Sequence, residues 1–358
     1  MAKETAFIET KQSGGGTNLI KKDAAGLEVE NKHIFQTKEF APAKYRNDLP
    51  QLSDDIFLTD GGLETTLIFH KGVDLPYFAS FPLLEKPAGI QLLRDYYRQY
   101  AALARNLEVG FIFESVTWRA NPDWAAKLGY SEKTLNEANR QAINFLNEIR
   151  KEFETEKSKM VISGCVGPRG DGYSPLKMMT AAEAQEYHRA QINVFSETQA
   201  DMVSGFTLNY VEEAIGIALA AKSAKIPAVL SFTVETDGNL PSGQTLKEAI
   251  EKTDKATDDF PAYYMINCAH PTHFENVVTN DEPWLRRIRG IRANSSVKSH
   301  AELNESDALD EGNPAELGQQ YQGLLGKLTN LRILGGCCGT DFRHIQEIAK
   351  ACIHRSSN

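Results

Sequence analysis

From about residue 55 onward the chain repeats one rhythm, a short apolar or β-branched run followed by a longer stretch whose apolar residues have helical spacing. The runs are Ile56–Thr59, Phe111–Ser115, Met160–Val166, Met202–Leu208, Ala228–Val234, Tyr263–Ala269, Gly290–Asn294 and Arg332–Cys337. Between most of them lie amphipathic segments. Gln91–Asn106 carries Leu92, Tyr96 and Leu103 on one face, and Thr134–Ile149 repeats Leu135, Ala138, Ala142, Phe145 and Ile149. Thr180 with Glu183, and Thr245 with Glu248, have the spacing at which a hydroxyl and a carboxylate satisfy the free amides of a first helical turn. Strand–helix alternation implies a parallel sheet with buried strands. Eight repeats over about 300 residues predict an α/β fold, a (βα)8 TIM barrel forming a single catalytic domain. A doubly wound open sheet is the alternative.

Residues 1–50 lack this rhythm. They hold Gly14-Gly15-Gly16, several charges and little apolar periodicity, which predicts a flexible or loosely docked N-terminal extension ahead of a barrel over 51–358. The net charge of −9 argues against nucleic acid or an anionic membrane as partner. No apolar run reaches the roughly 18 residues of a membrane span. The first ten residues, MAKETAFIET, contain no apolar signal core, so a cytoplasmic protein is expected. Five cysteines in so long a chain do not resemble a disulfide framework, which leaves metal binding or core packing.

In a barrel of this kind the chemistry sits at the C-terminal ends of the strands. Those ends carry Asp60-Gly61-Gly62, Glu114-Ser115, Gly164-Cys165, Phe206-Thr207, Glu235, Asn267-Cys268, Asn294 and Cys337-Cys338. Adjacent residues of a regular strand point to opposite faces, so Cys337 and Cys338 reach one metal only if the backbone turns sharply. The glycines around them (Gly335-Gly336-Cys337-Cys338-Gly339) permit such a turn, and Thr340 or Asp341 then caps a final helix, Phe342 to Ala351. Cys268 ends the sixth strand at the same rim. Three thiolates without a fourth protein ligand describe an open, catalytic zinc site. Spacing alone leaves Cys337 and Cys338 evenly divided between metal binding and packing, while Cys165 and Cys352 read as small core residues.

The segments GGCCGTDFRHIQEIA, INCAHP, TDGGLETTL and SFTVETDGNLPSGQTLKEAI together resemble the homocysteine S-methyltransferase family, with similarity running from about Asp54 to Ala351. The resemblance implies a (βα)8 barrel with one catalytic Zn2+ held by Cys268, Cys337 and Cys338, and methyl transfer to the sulfur of homocysteine. It also implies that Asp60, Gly61 and Gly62 hold the amino-acid end of the acceptor. In one place the sequence departs from the family, which commonly has a Glu after the fourth strand to bind the homocysteine amino group. Aligned on Val211-Glu212-Glu213-Ala214, that position is Phe206. Either Glu114 or Glu235 then supplies the carboxylate, or the acceptor is a different thiol. Asn267 completes the candidate pocket.

The expected partners are therefore a small-molecule thiol and a methyl donor. A free thiol with a pKa of about 8.5 is mostly protonated at neutral pH, and coordination to zinc would deprotonate it. A sulfonium donor, S-methylmethionine or S-adenosylmethionine, fits a chain with no room for folate and cobalamin modules and no long C-terminal dimerisation segment. Such a cation favours aromatic faces, for which Trp118, Trp124, Tyr77 and Phe78 are candidates, with packing the alternative for each. A zinc-binding scaffold without catalysis is the competing class. A non-metal hydrolase finds no G-x-S-x-G or H-E-x-x-H pattern. His188, His270, His273 and His344 read as helix or loop residues, the middle two near enough in sequence to Cys268 to support it.

Overall fold

The structure is a computed structural model that describes residues 42–353, except 176, 279–281 and 307. Eight parallel strands close into a barrel: β1 (Phe57–Leu58), β2 (Gly110–Glu114), β3 (Met160–Val166), β4 (Met202–Leu208), β5 (Ala228–Phe232), β6 (Tyr263–Asn267), β7 (Ile288–Ala293) and β8 (Ile333–Gly336). Pairing of Phe57 with Ile333 and Leu58 with Leu334 closes the ring and excludes the doubly wound alternative. The expected β7 began at Gly290, but the strand starts at Ile288. Its register against β6 shifts between Tyr264 and Met265, and a Cβ on Gly290 would come within 2.5 Å of the Met265 side chain. The glycine that looked like a strand start makes room for a neighbour inside the strand.

Alternation along the strands separates two layers of core. Phe57, Ile112, Val161, Met202, Val229, Tyr263, Met265 and Ile333 fill the barrel interior. Leu58, Phe111, Phe113, Ile162, Val203, Leu230, Ile266 and Leu334 face the helices. The outer ring comprises Pro87–Leu107, Glu132–Phe153, Ala181–Ser196, Val211–Ala224, Leu246–Thr257, Pro314–Lys327 and Phe342–Cys352. Between β6 and β7 the described residues form only two short turns of helix, Pro271–Phe274 and Pro283–Arg287. Thr180–Glu183 and Thr245–Glu248 both form capping boxes, and Asp341 rather than Thr340 caps the last helix. No helix among the described residues is long and apolar enough to cross a membrane.

The end of the expected extension that falls within the described residues is docked rather than loose. Tyr45 N donates to Asp201 at 2.7 Å, and the Arg46 guanidinium donates to the carbonyls of Ser196, Thr198 and Ala200. Leu49 and Gln51 are buried and close the barrel floor, Leu49 among Phe57, Val161 and Tyr263. Low apolar periodicity concealed this because the anchors are hydrogen bonds to helix-end carbonyls. Residues 1–41 lie outside the described residues.

Candidate active site

The strand ends converge on a cavity of about 490 Å³ at the barrel mouth. Its most reactive feature is a cluster of Cys268, Cys337 and Cys338, whose sulfur atoms all lie within 4.8 Å of one another. Two backbone devices bring them together. After β8 the chain turns through Gly339 at φ +78°, where a Cβ would sit 2.0 Å from Ser295 Oγ. Gly62 packs so closely on this turn that its Cβ would lie 2.5 Å from the Cys337 carbonyl oxygen. Cys268 itself adopts left-handed backbone, φ +54°, which costs a non-glycine residue on the order of 1 kcal/mol. The surroundings fix it there: Cys268 N donates to the Arg292 carbonyl, and the Cys268 carbonyl accepts from Asn294 Nδ2 at 3.1 Å and His300 Nε2 at 2.5 Å.

Hydrogen bonds from the Cys337 and Cys338 thiols hold the Cys268 thiol well below the ordinary thiol range, and the same bonds push the other two upward. The Tyr173 hydroxyl lies 3.9 Å from Cys338 Sγ, and its ring packs on His300 with centroids 4.2 Å apart. Cys165 lines the cavity as a buried thiol pushed up by burial, and Cys352 lies in the helix-facing core.

Asp60, Gly61, Gly62, Glu114, Phe206 and Asn267 all line the cavity. Asp60 is fully engaged: Oδ1 accepts from Arg292 Nη2 at 2.7 Å and Oδ2 from the Tyr96 hydroxyl at 3.0 Å. Asn267 is engaged too, accepting from Ser231 Oγ and Thr207 N and donating to Thr207 Oγ1. Phe206 places its ring 5.3 Å from the Arg292 guanidinium. Glu114 Oε1 accepts from Ser204 Oγ at 3.1 Å, while Oε2 is buried without a partner. Burial pushes the Glu114 carboxyl up to about 7. Glu235 stands apart from these: it does not line the cavity, and its Oε1 bonds His300 Nδ1 at 3.1 Å. Of the two candidate glutamates, only Glu114 faces the space an acceptor would fill.

The four aromatic candidates divide. Trp118 and Phe78 line the cavity, with Phe69 beside them at the rim; Tyr77 and Trp124 do not. Trp124 stacks on Lys127 at 3.8 Å, and the Arg119 guanidinium sits 4.0 Å from the Trp118 ring and 4.1 Å from that of Trp124. The four histidines read as helix or loop residues make contacts away from the thiols. His188 bonds Glu213, His270 caps the helix at Pro271, His273 bonds the Val297 carbonyl, and His344 bonds Asp341. Sequence reading missed Arg292, Arg119, Tyr173 and His300. Arg292 had a signal, since it is a charged residue near the C-terminal end of a barrel strand, with the same parity as the inward-facing Gly290.

A family model described as homocysteine S-methyltransferase matches residues 57–352. Selenocysteine Se-methyltransferase of Brassica oleracea var. italica is 26% identical over 327 residues, covering 84% of this chain and 90% of its own. Homocysteine S-methyltransferase 2 of Arabidopsis thaliana is 24% identical, covering 83% and 93%. Among solved structures, the oxidized form of the homocysteine methyltransferase MmuM from Escherichia coli superposes with a TM-score of 0.65 at 18% identity, covering 84% of this chain and 97% of that one. Its metallated form gives a TM-score of 0.62 at the same identity, covering 83% and 96%.

Proposed function

This chain belongs to the homocysteine S-methyltransferase family and is a methyltransferase, and we propose that it moves a methyl group from a sulfonium donor to the thiol of homocysteine, giving methionine, at a zinc site formed by Cys268, Cys337 and Cys338. The observation that carries this reading is the thiol trio at the mouth of the barrel. Three soft donors within 4.8 Å, and no further Cys, His, Asp or Glu grouped with them among the described residues, suit zinc with a position left for an exogenous ligand. Zinc, when bound, supplies the Lewis acidity that lets an acceptor thiol lose its proton near neutral pH.

The chain's own residues supply the rest. Backbone hydrogen bonds at Cys268 and the turn at Gly339 hold the three sulfurs together at the barrel mouth. The cavity orients the acceptor sulfur toward a donor methyl, and alignment of the two reactants removes an entropic part of the barrier. The acceptor sulfur forms the new C–S bond as the donor's S–CH3 bond breaks, and the electron pair leaves with the donor sulfur, which becomes a neutral thioether. Trp118, Phe78 and Phe69 offer faces for the donor cation, each worth roughly 0.5–2 kcal/mol.

The direct test is to incubate zinc-loaded protein with homocysteine and each of S-methylmethionine, S-adenosylmethionine, betaine and methyl-folate, following methionine by mass spectrometry. Methionine is expected with a sulfonium donor and not with Cys338→Ala. Stoichiometric zinc retained by either Cys338→Ala or Cys268→Ala would refute the ligand assignment.

A further inference from the structure

An amino-acid thiol brings two charges into a buried pocket, an ammonium needing an acceptor and a carboxylate needing a donor. The polar groups of the cavity are mostly spent on each other. Both oxygens of Asp60 are taken by Arg292 and Tyr96, whereas Glu64 has one oxygen on Ser80 at 2.8 Å and is the competing carboxylate of the cavity. Phe206 offers a ring and no acceptor. Two buried acceptors remain without a partner, Glu114 Oε2 and Asn294 Oδ1, and of these only Glu114 carries charge. Glu114 is 7% exposed and emerges from the inward face of β2, held from below by the Ser204–Ser163 hydroxyl pair. On the donor side, Arg292 spends Nη2 on Asp60 and Gly61 and Nε on the Gly336 carbonyl. Its Nη1 has no hydrogen-bond acceptor among the described residues, and the residue lines the cavity.

We propose that Glu114 binds the ammonium group of the acceptor and that Arg292, already paired with Asp60, receives the acceptor carboxylate. Asp60 alone would attract an ammonium, but Asp60 joined to a guanidinium is close to neutral and presents N–H groups instead. An unpartnered buried carboxylate is costly and becomes favourable once a cation reaches it. Burial explains why Glu114 is pushed up to about 7, and an ammonium at Oε2 would lower it again. The acceptor class is thus a zwitterionic thiol read by one carboxylate from β2 and one guanidinium from β7.

The inference rests on the thiol-methylation reading, so the test includes a binding measurement that needs no turnover. Three thiols are compared by titration calorimetry and by methyl transfer: homocysteine, 4-mercaptobutyrate (no ammonium) and 3-aminopropanethiol (no carboxylate). Wild-type protein should bind homocysteine more tightly than either truncated thiol. Glu114→Gln, which keeps the shape and the Ser204 contact, should weaken homocysteine and 3-aminopropanethiol by about 10- to 100-fold and leave 4-mercaptobutyrate within about twofold. Arg292→Met, which also loses the bond to the Gly336 carbonyl, should weaken the two carboxylate-bearing thiols more than 3-aminopropanethiol. Equal affinity of wild-type protein for homocysteine and 4-mercaptobutyrate would overturn the proposal, as would equal losses for all three thiols in Glu114→Gln. So would ammonium discrimination that survives in Glu114→Gln and disappears in Glu64→Gln. Selective binding with no methyl transfer from any donor would instead uphold the pocket assignment and sink the functional reading beneath it.

Discussion

The two ends of the barrel are each built around a buried aspartate–arginine pair with an N–O distance of 2.7 Å, and they use it differently. At the floor, Asp201 accepts from Arg150 Nη1, Ile162 N and Tyr45 N, so its carboxylate is saturated by the protein. The unpaired buried atoms there, Gln51 Oε1 and Ser158 Oγ, are neutral. At the mouth, Asp60 is equally satisfied, but its neighbours are not. Glu114 Oε2 and Arg119 Nε are buried, belong to charged groups and lack partners. The floor closes its polar groups on one another, whereas the mouth leaves charge open to a ligand. Unmet hydrogen-bonding capacity therefore distinguishes the functional end where burial and ion pairing do not.

The largest effect is expected at the cysteines. Cys268→Ala or Cys338→Ala should lose bound zinc, by elemental analysis, and lower turnover by roughly 10³-fold or more, as removal of a Lewis-acid centre worth several kcal/mol requires. Next come the two pairs. Asp201→Ala leaves the 5% exposed Arg150 side chain with Asn147 Oδ1 as its remaining side-chain partner and should cost about 3–5 kcal/mol in chemical denaturation. Asp60→Ala leaves Arg292 bordering a cavity and still bonded to the Gly61 and Gly336 carbonyls, so its stability cost should be smaller, about 1–3 kcal/mol. Equal losses would break the contrast between closed and open ends.

Glu114 gives a pH test of the same contrast. Its carboxyl is raised from 4.5 to about 7 by burial, with Arg292 and the Ser163 and Ser204 hydroxyls lowering it and Asp60 raising it. The folded state then holds this proton more tightly than the unfolded chain. The stabilisation is complete below about pH 4.5 and is lost as pH rises to about 7, a change on the order of 3 kcal/mol. Glu114→Gln should abolish that part of the pH dependence, and saturating homocysteine should flatten it in the wild type. A wild-type curve that coincides with Glu114→Gln from pH 5 to 8 would mean the carboxylate is not desolvated. The smallest effect is expected at the rim, where Trp118→Ala should raise the KM for a sulfonium donor by about 2- to 30-fold with little change for the acceptor.

Much of this was legible in the chain. Short apolar or β-branched runs marked the eight strands because inward and outward faces are both apolar. Thr180 and Thr245 announced helix starts because a capping box is a local pattern. The strand-end rule put Cys268, Cys337 and Cys338 at one rim, and the family resemblance singled them out from Cys165, which also ends a strand. The missing parts are those decided by contacts across the barrel. Glu114 and Glu235 both read as strand-end residues, but Glu114 closes β2 and lines the cavity whereas Glu235 lies beyond the end of β5 and buttresses His300. Arg292 escaped because its meaning lies in Asp60, 232 positions away in sequence. Tyr45 and Arg46 were assigned to a loose extension because their partners are backbone carbonyls and a carboxylate more than 140 residues downstream.

Arg292 also constrains how such a pocket can be altered over evolutionary time. Its side chain grips the Gly336 carbonyl, one residue before Cys337, and its backbone carbonyl anchors Cys268 N. A substitution that changed what Arg292 recognises would also remove the bond to the Gly336 carbonyl, next to Cys337. Position 206 has no such double duty: its side chain meets the cavity while its carbonyl is held by Trp118 at 3.3 Å. New acceptor preferences in this lineage are therefore more accessible through residue 206 than through residue 292, where innovation would put the reaction centre itself at risk.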